Sequence, residues 1–234
     1  MNKKVIFFVV FIIAISLYVG HFLTNYKLTS FVKVKGSAER FVIADKVYWN
    51  IAFVNTGNNI ELLQEKNSKD IEITKQFLLD NDFTENEFKL GIINLNDLEA
   101  REYKDPNQKN RYILNQSMLI ETSNIDKVEK IVSKMNYLIQ KGISIKNSYG
   151  ENMPVYVFSG LNDIKGEMIA EATTNARKSA EQFAKDSKSK IFKIKTADQG
   201  VFTILPKNSS VYVSESSSKE KQIRVVSTIE YWLK

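Results

Sequence analysis

One histidine, His21, and no cysteine occur in the 234 residues, and these two facts decide most of the chemistry open to the chain. Without a thiol or a second imidazole there is no Ser-His-Asp or Cys-His nucleophile, no Cys/His zinc site and no imidazole base beyond position 21. Phosphate-binding glycine loops and EF-hand loops are missing as well. What is left is carboxylate chemistry, as in glycoside hydrolysis, or a lysine nucleophile. Two groups of acids are the candidates: Glu99, Glu102 and Asp105 near one loop, and Glu167 and Glu171 four residues apart on a helical pattern. Arg101 and Lys104 stand among the first group, and an i, i+4 acid pair on the polar side of a helix faces solvent, so both read as solvated surface. The expectation is therefore no catalytic, cofactor-binding or metal-ligating residue, no cofactor, and no enzymatic activity. Asn115-Gln116-Ser117 and Asn208-Ser209-Ser210 match the glycosylation tripeptide, a pattern common by chance.

The apolar run Val5 to Gly20, VIFFVVFIIAISLYVG, carries no charge, and it extends through His21 to Leu23. Nineteen helical residues rise roughly 28 Å, close to the thickness of a bilayer's hydrocarbon core. Lys3 and Lys4 precede the run and no basic residue follows it before Lys27, which predicts Met1 on the cytoplasmic side and everything beyond Leu23 outside. A cleaved signal peptide has the same basic start and apolar centre, with cleavage near Gly20, but bulky Tyr18 fits a small-residue cleavage site badly. The expected organisation is a tip and membrane anchor at 1–26 and an extracytoplasmic domain at 27–234, placed on the cytoplasmic membrane as a single-pass protein. With Lys3 and Lys4 set aside the formal charge is about +4. Lysines are spread along the chain among acids and form no basic cluster interleaved with aromatics, so no nucleic-acid partner is expected.

The elements that would position any site follow from periodicity. Phe31 to Lys35 and Val47 to Val54 read as strands separated at Gly36. A helix is predicted from Ile60 to Leu79, opened by Asn58 or Asn59, with a modest stripe of Leu63, Ile71, Thr74, Phe77 and Leu78. Leu90 to Leu95 and Tyr112 to Thr122 form a second strand pair, and a helix from Ile125 to Ile139 is capped by Ser123 or Asn124 and ended by Gly142. A third pair is Ile143 to Tyr149 with Val155 to Phe158. The longest helix, Asp163 to Ser187, presents Ile164, Met168, Ala172, Ala176, Ala180, Phe183 and Ala184 for close packing. Strands then follow at 191–194, 201–205, 211–213 and 223–233, with Ser214 to Lys221 as a mobile loop tip. Strands arriving in pairs favour hairpins, so the fold class is α+β, with mostly antiparallel or mixed sheets and about three helices packed on them.

The residues also carry a resemblance. Val34-Lys35-Gly36-Ser37-Ala38-Glu39-Arg40 with Ala44-Asp45 and Val47-Tyr48-Trp49 resembles the opening of the SIMPL-domain family of periplasmic proteins. Phe158 to Lys165, Met168 to Thr173, Asn175-Ala176-Arg177 and Ala180 to Ala184 are similar to that family's long helix, and Asp198 to Phe202 and Ile223 to Tyr231 to its closing segments. The resemblance spans Phe31 to Leu233, departing at Ala44 and over Glu61 to Ile120. It implies an α+β fold, residence outside the cytoplasm, ring-like or channel-like homo-oligomers and a link to stress tolerance, and it supplies no catalytic residue. The leading expectation is a membrane-anchored envelope protein that associates with itself. The alternatives are a scaffold that recruits another envelope protein and, less favoured, an envelope hydrolase that uses carboxylates.

Overall fold

The computed structural model describes residues 11–20, 30–103, 105–146, 152–208 and 214–234. Residues 11–20 are helical (α1) and exposed throughout. Among the described residues no helix is long and apolar enough to cross a membrane; the remainder of Val5 to Leu23 lies outside them. Beyond α1 the order is β1 (Phe31–Ile43), β2 (Lys46–Gly57), α2 (Ile60–Leu79), β3 (Phe88–Leu90), β4 (Asn94–Asp97), β5 (Tyr112–Thr122), α3 (Ile125–Val132), α4 (Asn136–Gln140), β6 (Val155–Val157), α5 (Leu161–Asp186), β7 (Ile191–Gln199), β8 (Thr203–Pro206) and β9 (Glu220–Leu233). This is an α+β fold with two antiparallel sheets, one ordered β1-β9-β7 with β8 beside β9, the other β3-β5-β2-β6 with β4 beside β5. Two compact units result: Met1–Glu39, Gly166–Phe202 and Arg224–Lys234 form the first, Arg40–Lys165 and Thr203–Ile223 the second.

In the second unit β2 and β5 run antiparallel over their full length, from Val47 opposite Thr122 to Gly57 opposite Tyr112. Alternate residues Val47, Trp49, Ile51 and Phe53 are buried, as period two requires, and pack with Met118, Ile120, Phe77, Leu78, Val128, Ile131 and Leu138. α2 begins where Asn59 accepts a hydrogen bond from the Leu62 N–H. Asn58 has a different task, accepting from the Arg111 N–H at 2.8 Å. The stripe of α2 looks modest because three of its buried positions are polar, Asn67, Asp70 and Thr74. Asp70 accepts from Asn55 Nδ2 at 2.8 Å and from Lys66 Nζ at 3.0 Å, which satisfies its charge. The helix expected over 125–139 is interrupted: α3 starts on the Asn124 cap as read, but Ser133 donates to the Lys130 carbonyl at 2.8 Å and a turn separates it from α4. Gly142 adopts the left-handed conformation at φ 83°.

In the first unit the residues of α5 lie on a strand rather than beside a turn. Gly36 does not separate two strands; β1 runs through it, because α5 passes over it too closely for any side chain. A Cβ there would strike the Ala172 carbonyl oxygen and the Ala176 nitrogen and lie 2.8 Å from Ala176 Cα. The buried stripe of α5 is Met168, Ala172, Ala176, Ala180 and Ala184, while Phe183, read as part of it, is 59% exposed. Four-residue spacing drifts slowly round a helix, and Phe183 falls off that line. Ala176 and Ala180 pack with Val34, Ile229 and Tyr231. Asn175 Nδ2 donates to the Ser37 carbonyl at 2.9 Å.

Three further expectations change. β1 and β2 do not pair as a hairpin but enter different sheets. The strand expected at 143–149 is reduced to an isolated bridge from Ile145 to Phe53, and Asn147 to Tyr149 lie outside the described residues, as do 211–213. The end of the supposed loop tip is strand: Lys221 belongs to β9 and is fully buried, its ammonium donating to the Glu215 carbonyl at 2.7 Å and to its carboxylate at 2.5 Å. A chain turning at 215–217 back against this strand brings partners that a local reading of Ser-Glu-Ser-Ser-Ser-Lys does not reveal.

Candidate functional site

The face of the five-stranded sheet opposite the helices carries Tyr48, Asn50, Leu119 and Glu121, with Asn50 opposite Leu119 and Tyr48 opposite Glu121. β6 adds Val155 beside Tyr48, and Met153 precedes it. Together with Asn86, Phe88 and Lys89 they line a cleft of about 420 Å³. Tyr48, Met153 and Val155 are 41%, 58% and 38% exposed, so the cleft is open and these apolar side chains share its wall with polar ones. Asn50 is among the lining residues, and its side-chain oxygen is buried. Asn152 holds the cleft's β6 side: its side-chain oxygen accepts from the Ala52 N–H at 2.8 Å, and its carbonyl accepts from the Trp49 indole at 2.7 Å.

Glu87 sits at the edge of this cleft and of a neighbouring one of about 750 Å³ that includes Thr122, Asn124, Asp126, Lys127 and Lys219. Burial alone would raise its carboxyl, but hydrogen bonds from the Thr122 hydroxyl, the Thr84 N–H, Lys127 and the Thr84 hydroxyl outweigh that and hold it down at about 2. Thr122 Oγ1 approaches to 2.5 Å and Lys127 Nζ to 3.0 Å. A carboxylate so fully donated to cannot deliver or take a proton near neutrality; its arrangement makes it a clamp between β5, α3 and the turn before β3. Sequence reading passed over it, although Thr84-Glu85-Asn86-Glu87 is a readable capping box, formed here by Thr84 and Glu87.

The acids singled out by type do not converge. Glu99 lies 3.3 Å from Arg111, which also binds Asp97 through two nitrogens at 3.1 and 2.8 Å. That contact with Arg111 holds the Asp97 carboxyl below its ordinary range and the guanidinium above its own. Asp105 accepts from the Asn107 N–H in a turn, and Glu102 is exposed. Glu167 is exposed and Glu171 half-buried on α5. His21 lies outside the described residues. Asn115 is a mid-strand residue of β5, and Asn208 is exposed. Among the described residues no group of three acids or imidazoles could hold a metal ion. Among the described residues the one lysine with a wholly buried side chain, Lys221, has its amine held by Glu215, whereas a lysine nucleophile needs a free amine that substrate can reach.

Several residues that carry the family resemblance prove to be clamps. Asp45, at the β1–β2 corner, accepts from the Ser159 N–H at 2.9 Å and from its hydroxyl at 2.7 Å. Burial works to raise the Asp45 carboxyl; the two Ser159 hydrogen bonds and Lys46 outweigh it and keep it below the ordinary value. Asp45→Ala is expected to cost about 1–2 kcal/mol, read as a lower urea midpoint, because the Ser159 donors lose their acceptor just before α5. Gly200 donates its N–H to the Val226 carbonyl at 2.8 Å, where a Cβ would come within 2.6 Å of the same oxygen.

The sequence reading of dispersed lysines also needs correction. Lys185 to Lys195 holds five lysines and one acid in eleven residues, with Ile191, Phe192 and Ile194 among them. The fold sets this segment beside Phe31, Trp232 and Lys234. Lys195 Nζ stands 3.5 Å over the Phe31 ring and 4.9 Å from that of Trp232.

Fold and site together define a two-sheet α+β protein with an open apolar sheet face and with its buried charges engaged in clamps. It belongs to the SIMPL family, described as protein of unknown function (DUF541), whose model matches residues 32–229. No curated protein matches the chain.

Proposed function

We propose that the chain is a non-enzymatic envelope protein, held in the cytoplasmic membrane by its N-terminal apolar segment with Met1 inside, whose SIMPL domain works outside by associating with copies of itself. The observation that supports this most directly is the cleft of Tyr48, Leu119, Met153 and Val155 on an uncovered sheet face. Apolar surface left in water is costly, and a second copy or a partner protein removes that cost. The anchor is supported by the length and charge flanks of Val5 to Leu23, and tethering raises the effective concentration of the domain. A role in stress tolerance rests on the family resemblance alone.

Light scattering on the full chain in detergent micelles tests the association. The wild type is expected to be oligomeric, and Tyr48→Glu with Met153→Glu is expected to weaken association by about tenfold or more, since each buries a charge at the contact. A monomeric wild type would overturn the proposal. A monomer that crosslinks stoichiometrically in membranes to a different protein would favour the scaffold reading instead.

A further inference from the structure

We infer that the end of the four-stranded sheet at which β1 begins is a binding surface for the headgroups of an anionic lipid bilayer. Three separate segments meet there. The Leu233 N–H donates to the Ser30 carbonyl at 2.9 Å, and Lys190 and Lys234 exchange backbone hydrogen bonds at 2.9 and 2.8 Å. Ser30, Lys190 and Lys234 therefore share one end of the sheet.

The side chains at this end alternate aromatic and cationic. Phe31 packs edge-on against Trp232 at 6.2 Å between ring centres, with Lys195 over both. Lys234 Nζ lies 4.4 Å and Lys193 Nζ 5.8 Å from the Phe192 ring. Phe31 and Phe192 are 48% and 57% exposed, more than a packed interior would leave. Among the described residues Glu230 is an acid at the cluster, and Lys33 and Lys195 engage it at 3.3 and 3.1 Å. Lys190, Lys193 and Lys234 remain in excess over it. The register between β7 and β9 shifts twice, between Ile191 and Ile194 and between Ile194 and Thr196, and such irregularities re-aim side chains along an edge strand.

Rings that bury an apolar body while lysines meet phosphate are the composition of a membrane–water interface. The length of the chain selects the bilayer over other anions. Six residues separate Leu23 from Ser30, and at roughly 3.5 Å each they reach at most about 25 Å. An anchored chain thus holds this end of the sheet next to the headgroups whether or not it binds them. The inference rests on the anchor proposed above.

The test uses the full chain reconstituted into nanodiscs of phosphatidylcholine alone or with one quarter phosphatidylglycerol, with nitroxide-labelled headgroups as quenchers. The chain has two tryptophans; Trp49 is buried in the other unit, and Trp232→Phe removes the reporter of this surface. Quenching of Trp232 is expected to be about twofold or more greater with phosphatidylglycerol, and that difference is expected to be lost in 0.5 M salt and in Lys190→Glu/Lys193→Glu/Lys234→Glu. Equal quenching in both discs, or none, in a chain that has entered the discs would overturn this inference and leave the anchor intact. A chain that stays outside the discs would overturn the anchor and the inference with it. Binding of labelled single-stranded DNA, lost in the same variant and with no response to phosphatidylglycerol, would assign the surface to nucleic acid and overturn the inference as well.

Discussion

Replacing Gly36 by alanine is expected to destabilise the first unit by about 3 kcal/mol or more. The added methyl group has no rotamer with which to escape, and what it meets is not a side chain. The Ala172 carbonyl oxygen and the Ala176 nitrogen belong to the backbone of α5, so the helix itself has to lift from β1. Lifting it opens the seam in which Ala176 and Ala180 touch Val34, Ile229 and Tyr231. Urea unfolding followed through Trp232 fluorescence measures the loss, since Trp232 stands on the β9 that this helix covers. Two companions separate this mechanism from a general dislike of substitution. Ala176→Gly should not rescue Gly36→Ala, because the obstructing atoms are those every residue possesses. Gly166→Ala, in the same helix but with nothing within 4 Å of the new methyl, should stabilise by about 0.5–1 kcal/mol through helix propensity. An unfolding midpoint for Gly36→Ala equal to that of the wild type would refute the close packing of α5 on β1.

Glu87→Ala should cost about 3 kcal/mol in the second unit. Lys127, whose side chain is 16% exposed, would keep its charge and lose its counterion, and the Thr84 N–H and Thr122 hydroxyl would lose their acceptor. The pH dependence has a definite sign. The folded carboxyl titrates at about 2 against an ordinary 4.5, so ionised Glu87 stabilises the fold above pH 4.5, and that contribution disappears as the pH falls from 4.5 toward 2. Discounted for partial solvent screening it amounts to about 1–2 kcal/mol. Urea midpoints taken across this window should fall in the wild type and fall less in Glu87→Gln. Parallel pH profiles for the two proteins would rule out the clamp.

Elements bounded by local signals were readable in advance. α2 at Ile60–Leu79 and β5 at Tyr112–Thr122 have the predicted limits because a cap, a turn and an unbroken alternation mark their ends within a few residues. What was misread depends on distant residues. Gly36 resembles a break until α5, far along the chain, is seen to need its missing side chain. Lys221 resembles a loop lysine until Glu215 and the strand around it are in place. The lysine and aromatic cluster was invisible as a count, because Phe31, Phe192 and Trp232 become neighbours only through strand pairing. The family was legible for a related reason: Gly36, Asp45, Asn175 and Gly200 are backbone clamps, and clamps record how a chain folds. They are silent on what it binds, which is why the resemblance brought a fold and no reaction.

The pairing of β1 with β9 also imposes an order on folding. The five-stranded sheet draws on residues 46–157, so its strands are all synthesised before α5 begins. β1 is made earlier than any of them, yet Ser30 must wait for Leu233, about 200 residues further on, before its carbonyl finds a donor. Contacts so remote in sequence form slowly. Until they close, β1 remains without its strand partner, open to capture by chaperones or to pairing with the β9 of another copy. Exchange of β1 between copies would then be decided during biogenesis, before the native sheet is complete.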